Sequence, residues 1–188
     1  MSYGVQSYLF AVRDLKDIFP YENENLKKYV LRQIEPRLIE LQDQLGCEDV
    51  TFIEVANDFF SGKTSWPEYS YMYWYILEVL IADSGYDQTK TGGEIDVAAP
   101  RLNNSEWYPA SIECFYKIKE LELFGTAPTL PIRPADDFPV VFIAKLENMD
   151  SLVAKLPQFV TDPDQLKQFL EWISYAKKTG NDLFLFYY

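Results

Sequence analysis

No histidine occurs among the 188 residues. Its absence closes Ser-His-Asp and Cys-His nucleophile systems, histidine metal triads and imidazole acid-base catalysis to this chain's own side chains. Cysteine is nearly as scarce: Cys47 and Cys114 are too few for a disulfide framework and lack the paired spacing of a zinc site, so both are read as buried reduced thiols. No phosphate-cradling G-x-x-x-x-G-K-[ST] and no dinucleotide G-x-G-x-x-G is present, and Gly92-Gly93 reads only as a turn. No apolar run approaches the roughly 18 to 20 residues that cross a bilayer, because the best candidate is interrupted by Glu78 and closed by Asp83. The N-terminus shows no basic stretch followed by an apolar core and a small-residue cleavage site. These absences predict a cytoplasmic protein without a membrane partner, cofactor or transition-metal site. Lysine and arginine are also unclustered, which argues against a nucleic-acid partner, since counterion release needs grouped cations facing phosphates.

What the chain does have is apolar and aromatic mass. Hydrophobic residues make up 48% and aromatic residues 16%, which excludes a disordered chain and predicts a packed globule, read as a single domain over 1–188. The net charge is −12 and unevenly spread. Between Glu48 and Asp96 ten acids face only Lys63 and Lys90. Solubility through self-repulsion explains such a bias in general terms, and an electrostatic footprint for a basic partner explains it in sharper ones.

Alternation of β-forming residues predicts a strand from Tyr3 to Val12, with Val5, Ser7, Leu9 and Ala11 on one face. Asn23 or Asn25 can cap a helix with apolar residues from Leu26 to Leu45 and Gly46 as its stop, kinked or broken near Glu35 by Pro36. A second helix is expected from Glu48 and Asp49 to Gly62. Residues 86–104 read as a long loop, Glu106 to Leu121 as a helix, and 126–139 as a proline-rich connector. A middle strand over 139–147, a short helix from Met149 to Leu156 closed by Pro157, and a helix capped by Asp162 with Pro163 first follow. That last helix carries an inner stripe of Leu166, Phe169, Leu170, Ile173 and Ala176 and stops at Gly180 before a strand over 182–188. The fold class expected is α+β: a small, mostly antiparallel sheet of the N-terminal, middle and C-terminal strands, covered by several helices.

Tyr69, Tyr71, Tyr73 and Tyr75 alternate as in a strand, but they lie in a run long enough for a helix. Ser65, Trp66, Pro67 and Glu68 have the S-x-x-E form of a capping box with proline in the first turn, which favours a helix from Tyr69 to Ser84. At 100° per residue, Tyr69, Met72, Tyr73, Ile76, Leu77 and Leu80 share the inner face, Trp74 and Ile81 a flank, and Tyr71, Tyr75, Glu78 and Ala82 the opposite side.

The opening MSYGVQSYLFAV, the tyrosine-rich helix and the closing WISYAKKTGNDLFLF together resemble an uncharacterised family of short bacterial proteins. Its members open with Met-Ser-Tyr or Met-Gly-Tyr and close with a helix, a glycine and an apolar strand. The resemblance implies an intracellular α+β protein of unknown activity, carries no catalytic residue, and leaves Pro36 and the long proline segment as departures.

Three functions compete. The first is a non-enzymatic acidic protein that binds a basic protein, as immunity-type inhibitors do, through a surface including Glu48, Asp49, Glu54, Asp58, Tyr71 and Tyr75. The second is a carboxylate-dependent hydrolase: Glu54 and Asp58, four apart on a helix, could share a magnesium ion or shift each other's pKa, and Asp136 and Asp137 form a loop pair. The third is a small-ligand module around the tyrosine helix. The binding reading is placed ahead of the enzymatic ones, because two acids one turn apart are more often a solvated face.

Overall fold

A computed structural model describes residues 5–10, 23–46, 49–83, 124–125, 132–133, 135 and 139–188. The expected loop 86–104, the expected helix from Glu106 to Leu121, both cysteines, Glu48, Asp136 and Asp137 lie outside the described residues. The chain divides into two compact units, one of residues 1–12, 99–128 and 140–188, the other of 13–98 and 129–139. The fold is α+β.

The first unit holds an antiparallel sheet of β1 (Val5–Phe10), β2 (Phe124–Gly125), β3 (Val140–Ala144) and β4 (Asp182–Tyr187), in the order β1-β4-β3-β2. The C-terminal strand is therefore central: Ser7 faces Leu185 on one side and Phe142 faces Leu185 on the other. Side chains alternate across a strand, yet Leu183 to Tyr187 are all buried, so both faces of β4 are covered. The middle strand is shorter than the predicted 139–147, since Leu146–Asn148 turn into a 3-10 helix whose first N–H donates to Asp182 Oδ1 at 2.8 Å.

Two further helices belong to this unit, numbered α4 and α5 in chain order. The helix α4 (Met149–Phe159) runs through Pro157 rather than stopping there. The carbonyl that proline deprives of a donor belongs to Val153, which is exposed to water. The helix α5 (Pro163–Thr179) begins as expected, with Asp162 Oδ1 accepting from the N–H groups of Asp164 and Gln165 at 2.9 and 3.0 Å. It ends at Gly180 with φ 70°, a left-handed conformation that costs glycine least. Lys177 pairs with Asp150 and links α5 to α4. Its buried residues are Phe169, Trp172, Ile173 and Ala176; Leu166 and Leu170, expected inside, are only half-buried, and Trp172 takes the inner place.

The second unit holds α1 (Glu24–Leu45), α2 (Phe52–Phe60) and α3 (Ser70–Asp83). Asn23 caps α1 through hydrogen bonds to the Asn25 and Leu26 N–H groups at 3.0 and 3.2 Å. Of the kink or break expected near Glu35, the break does not occur: the helix continues through Pro36. Arg32 and Pro36 are both exposed, so water can serve the Arg32 carbonyl that loses its partner. Gln42 Oε1 accepts the Phe52 N–H at 2.9 Å, and Lys27 Nζ donates to Ser61 Oγ at 2.6 Å. These two contacts set α1 and α2 antiparallel. Val30, Ile34 and Leu38 form the narrow inner stripe of α1, and Phe52, Val55, Ala56, Phe59 and Phe60 the inner face of α2.

Candidate interaction surface

The segment from Asp49 to Asp83 holds every described candidate residue. Its first helix starts at Phe52, later than the predicted Glu48, because Thr51 is the better cap. Thr51 Oγ1 accepts the Glu54 N–H at 3.2 Å, while Glu54 Oε2 accepts the Thr51 N–H at 2.9 Å and the Thr51 hydroxyl at 2.8 Å. This is a reciprocal capping box. The Thr51 N–H, and then its hydroxyl, hold the Glu54 carboxyl below the ordinary glutamate range. Replacing Thr51 with alanine is expected to cost about 1 kcal/mol, read as a shifted denaturation midpoint. An unchanged midpoint would mean the box contributes nothing.

The predicted capping box at Ser65 and Glu68 does not form. A 3-10 turn, Pro67–Tyr69, precedes α3, and Trp66 at its N-cap makes no side-chain cap. Ser65 is claimed instead by Asp58: its N–H donates to Asp58 Oδ2 at 2.8 Å and its hydroxyl to Oδ1 at 2.7 Å. The Tyr73 hydroxyl donates to Asp58 Oδ2 at 2.7 Å and accepts the Trp66 N–H at 3.4 Å. One carboxylate thus closes the turn between α2 and α3. Burial alone would push the Asp58 carboxyl up, but the Ser65 N–H, the Tyr73 and Ser65 hydroxyls and the nearby Lys63 charge together hold it below the ordinary aspartate range. Tyr73 is pushed well above its ordinary range, first by burial and then by its bond to Asp58.

The tyrosines sit on a helix, not a ribbon. Met72, Tyr73, Trp74, Ile76, Leu77, Val79, Leu80 and Ile81 are buried, whereas Tyr71, Tyr75, Glu78 and Ala82 are half-buried. Tyr69, assigned to the inner face, is half-buried too, because the 3-10 turn places it out of α-helical phase. Its ring meets that of Tyr71 edge to face at 6.4 Å, and Tyr75 meets buried Phe52 at 6.2 Å. Trp74 Nε1 donates to the Arg133 carbonyl at 2.8 Å, fixing α3 to residues of the 129–139 segment.

Of the six residues proposed for a partner surface, the described five therefore differ in kind. Asp49 and Glu54 are exposed, Tyr71 and Tyr75 half-buried, and Asp58 is committed to the α2–α3 turn. Glu54 and Asp58 are not a converging pair: Thr51 draws one carboxylate to the start of α2, and Ser65 and Tyr73 draw the other beyond its end. Among the described residues no three acidic or sulfur side chains gather as metal ligands, and no helix is long and apolar enough to cross a membrane. The Asp58–Ser65–Tyr73 cluster was missed in the sequence because its members are seven and fifteen positions apart, outside any helical or turn period.

No curated protein and no solved structure matches the chain. A family described as a domain of unknown function, DUF7691, matches residues 1–188, and the chain belongs to that family.

Proposed function

We propose that this is a non-enzymatic binding protein of the bacterial cytoplasm, whose acidic, tyrosine-bearing α2–α3 segment engages a basic protein. The observation that carries the reading is where the charge falls. In α1, Glu24, Glu35, Glu40 and Asp43 are balanced by Lys27, Lys28, Arg32 and Arg37. From Asp49 to Asp83, Asp49, Glu54, Asp58, Glu68, Glu78 and Asp83 face Lys63 alone. Asp49, Glu54 and Glu68 are exposed, and half-buried Tyr71 and Tyr75 offer contact area at low entropic cost.

Binding of arginine-rich and lysine-rich peptides tests this. Association is expected to weaken as ionic strength rises from about 0.15 M to 1 M, where the screening length falls from about 8 Å to about 3 Å. Asp49→Asn with Glu68→Gln should slow association, since both carboxylates are exposed and neither is among the hydrogen bonds that close the helix ends. Glu147→Gln with Asp164→Asn removes the same charge from the other unit and should leave association nearly unchanged. Equal losses from the two pairs would reduce the effect to net charge and end the proposal.

A further inference from the structure

The outward side of α5 carries an apolar and charged pattern that is half-buried at its leucines and exposed at its charges. A groove of about 400 Å³ runs along the helix, and its described lining is Pro163, Leu166, Lys167, Leu170, Glu171 and Ser174. Leu166 and Leu170 are half-buried leucines one turn apart, and the Lys167 and Glu171 side chains are 76% and 59% exposed. These six positions form two adjoining rows with Pro163 and Ser174 between them. Leu166 and Leu170 make the first row, and Lys167 and Glu171 the second.

The rows are self-complementary in one arrangement. If two α5 helices meet antiparallel about a two-fold axis near Gln168, Leu166 of each faces Leu170 of the other, and Lys167 faces Glu171 twice. The large Pro163 ring is then opposite the small Ser174. All three pairings share nearly the same centre, which is what an isologous contact demands. Within one helix Lys167 and Glu171 are just 4.0 Å apart and in the less favourable order, with the cation N-terminal to the acid. Their charges therefore lose little by turning to a second chain. The surroundings also suit self-association of a chain whose net charge is −12. Residues 139–188 hold six acids (Glu147, Asp150, Asp162, Asp164, Glu171, Asp182) and five bases (Lys145, Lys155, Lys167, Lys177, Lys178), so like copies approach here with little repulsion.

We propose that the outward face of α5 is the contact of a weak antiparallel homodimer, its occupant being α5 of a second copy. One helix pair buries less than the roughly 1,200 Å² of a standard interface, so the dimer is concentration-dependent.

Sedimentation equilibrium of the full chain across micromolar to high-micromolar concentration tests it, with circular dichroism confirming that each variant is folded. The unaltered chain is expected to move from monomer to dimer over that range. Lys167→Glu alone and Glu171→Lys alone each turn two attractive pairs into two repulsive ones and should weaken association about tenfold or more. The double reversal, Lys167→Glu with Glu171→Lys, should restore it. Mixing the two single variants should produce a heterodimer tighter than either homodimer. A chain that stays monomeric, a dimer indifferent to the single reversals, or a mixture without heterodimer overturns the proposal.

Discussion

Phe186→Ala is expected to remove about 4 kcal/mol of stability, the largest single loss we anticipate. Phe186 is fully buried on the central strand β4, between Gln6 of β1 and Val141 of β3. Its ring meets Tyr8 at 5.6 Å and 84°, an edge-to-face pair. Truncation removes the apolar surface, the aromatic contact and the filling of the space, and hydrogen-bonded strands on both sides keep the backbone from closing the cavity. Urea titration followed by near-ultraviolet dichroism measures the change. The half-buried neighbour Val141→Ala should cost only about 1 kcal/mol, since water already reaches part of that side chain. Similar losses at both positions would contradict the full burial of Phe186.

Asp58→Ala is expected to cost about 2 to 3 kcal/mol and to change the pH dependence of stability. Three donors lose a charged acceptor, and bonds to charged groups contribute about 1.5 to 3 kcal/mol each when desolvated. Asp58 is only half-buried and Ser65 is exposed, so water replaces part of what is lost and the total falls well short of three such bonds. Tyr73→Phe deletes one donor and leaves the other two, with an expected cost of about 1 to 2 kcal/mol. The double variant should cost less than the sum of the two single changes, because both remove the same bond.

The titration follows from the directions of the shifts. Asp58 and Glu54 have lowered folded-state pKa values, so their contribution is present above the ordinary carboxylate range and is lost as the pH falls below about 4. Tyr73 has a raised value, so its contribution is present below about pH 10 and is lost on moving higher, where the unfolded chain ionises first. In Asp58→Ala the acid-side loss should shrink by the Asp58 part. The alkaline loss should diminish without vanishing, because burial of Tyr73 outlasts its partner. An acid profile identical to that of the unaltered chain would remove Asp58 from its place in the turn.

Local interactions made several elements legible without coordinates. Asn23 and Asp162 bond to N–H groups two and three residues ahead, and Gly46 and Gly180 adopt left-handed φ right after the last turn. Each of these bonds or conformations depends on residues within one turn, so the sequence order already brings the partners together. The helix through Tyr71 and Tyr75 forms without the cap that Ser65 and Glu68 offer, because Ser70–Asp83 is an apolar run long enough for a helix, while Tyr69 before it falls out of phase in the 3-10 turn. Even locally, competition decided details: Thr51 with Glu54 outdid the acids at 48 and 49 as a helix start, and two prolines were tolerated where the residues whose carbonyls they orphan, Arg32 and Val153, are exposed.

Tertiary structure alone decided where distant residues met. The unbroken apolar run after Asp182 suits a strand covered on both faces, but it does not say that β4 lies between the N-terminal and middle strands, because its pairing partners come from distant parts of the chain. Ser65 carried the mark of a helix cap, but an ionised carboxylate seven residues earlier is a stronger acceptor than the helix offers and took its hydroxyl and N–H. Trp172 displaced Leu166 and Leu170 from the inner face of α5, a choice of helix rotation by neighbours from α4 and β4. Composition and spacing can determine which faces are apolar; which of them is buried depends on surfaces brought in from elsewhere in the chain, whose area and shape a local pattern does not contain.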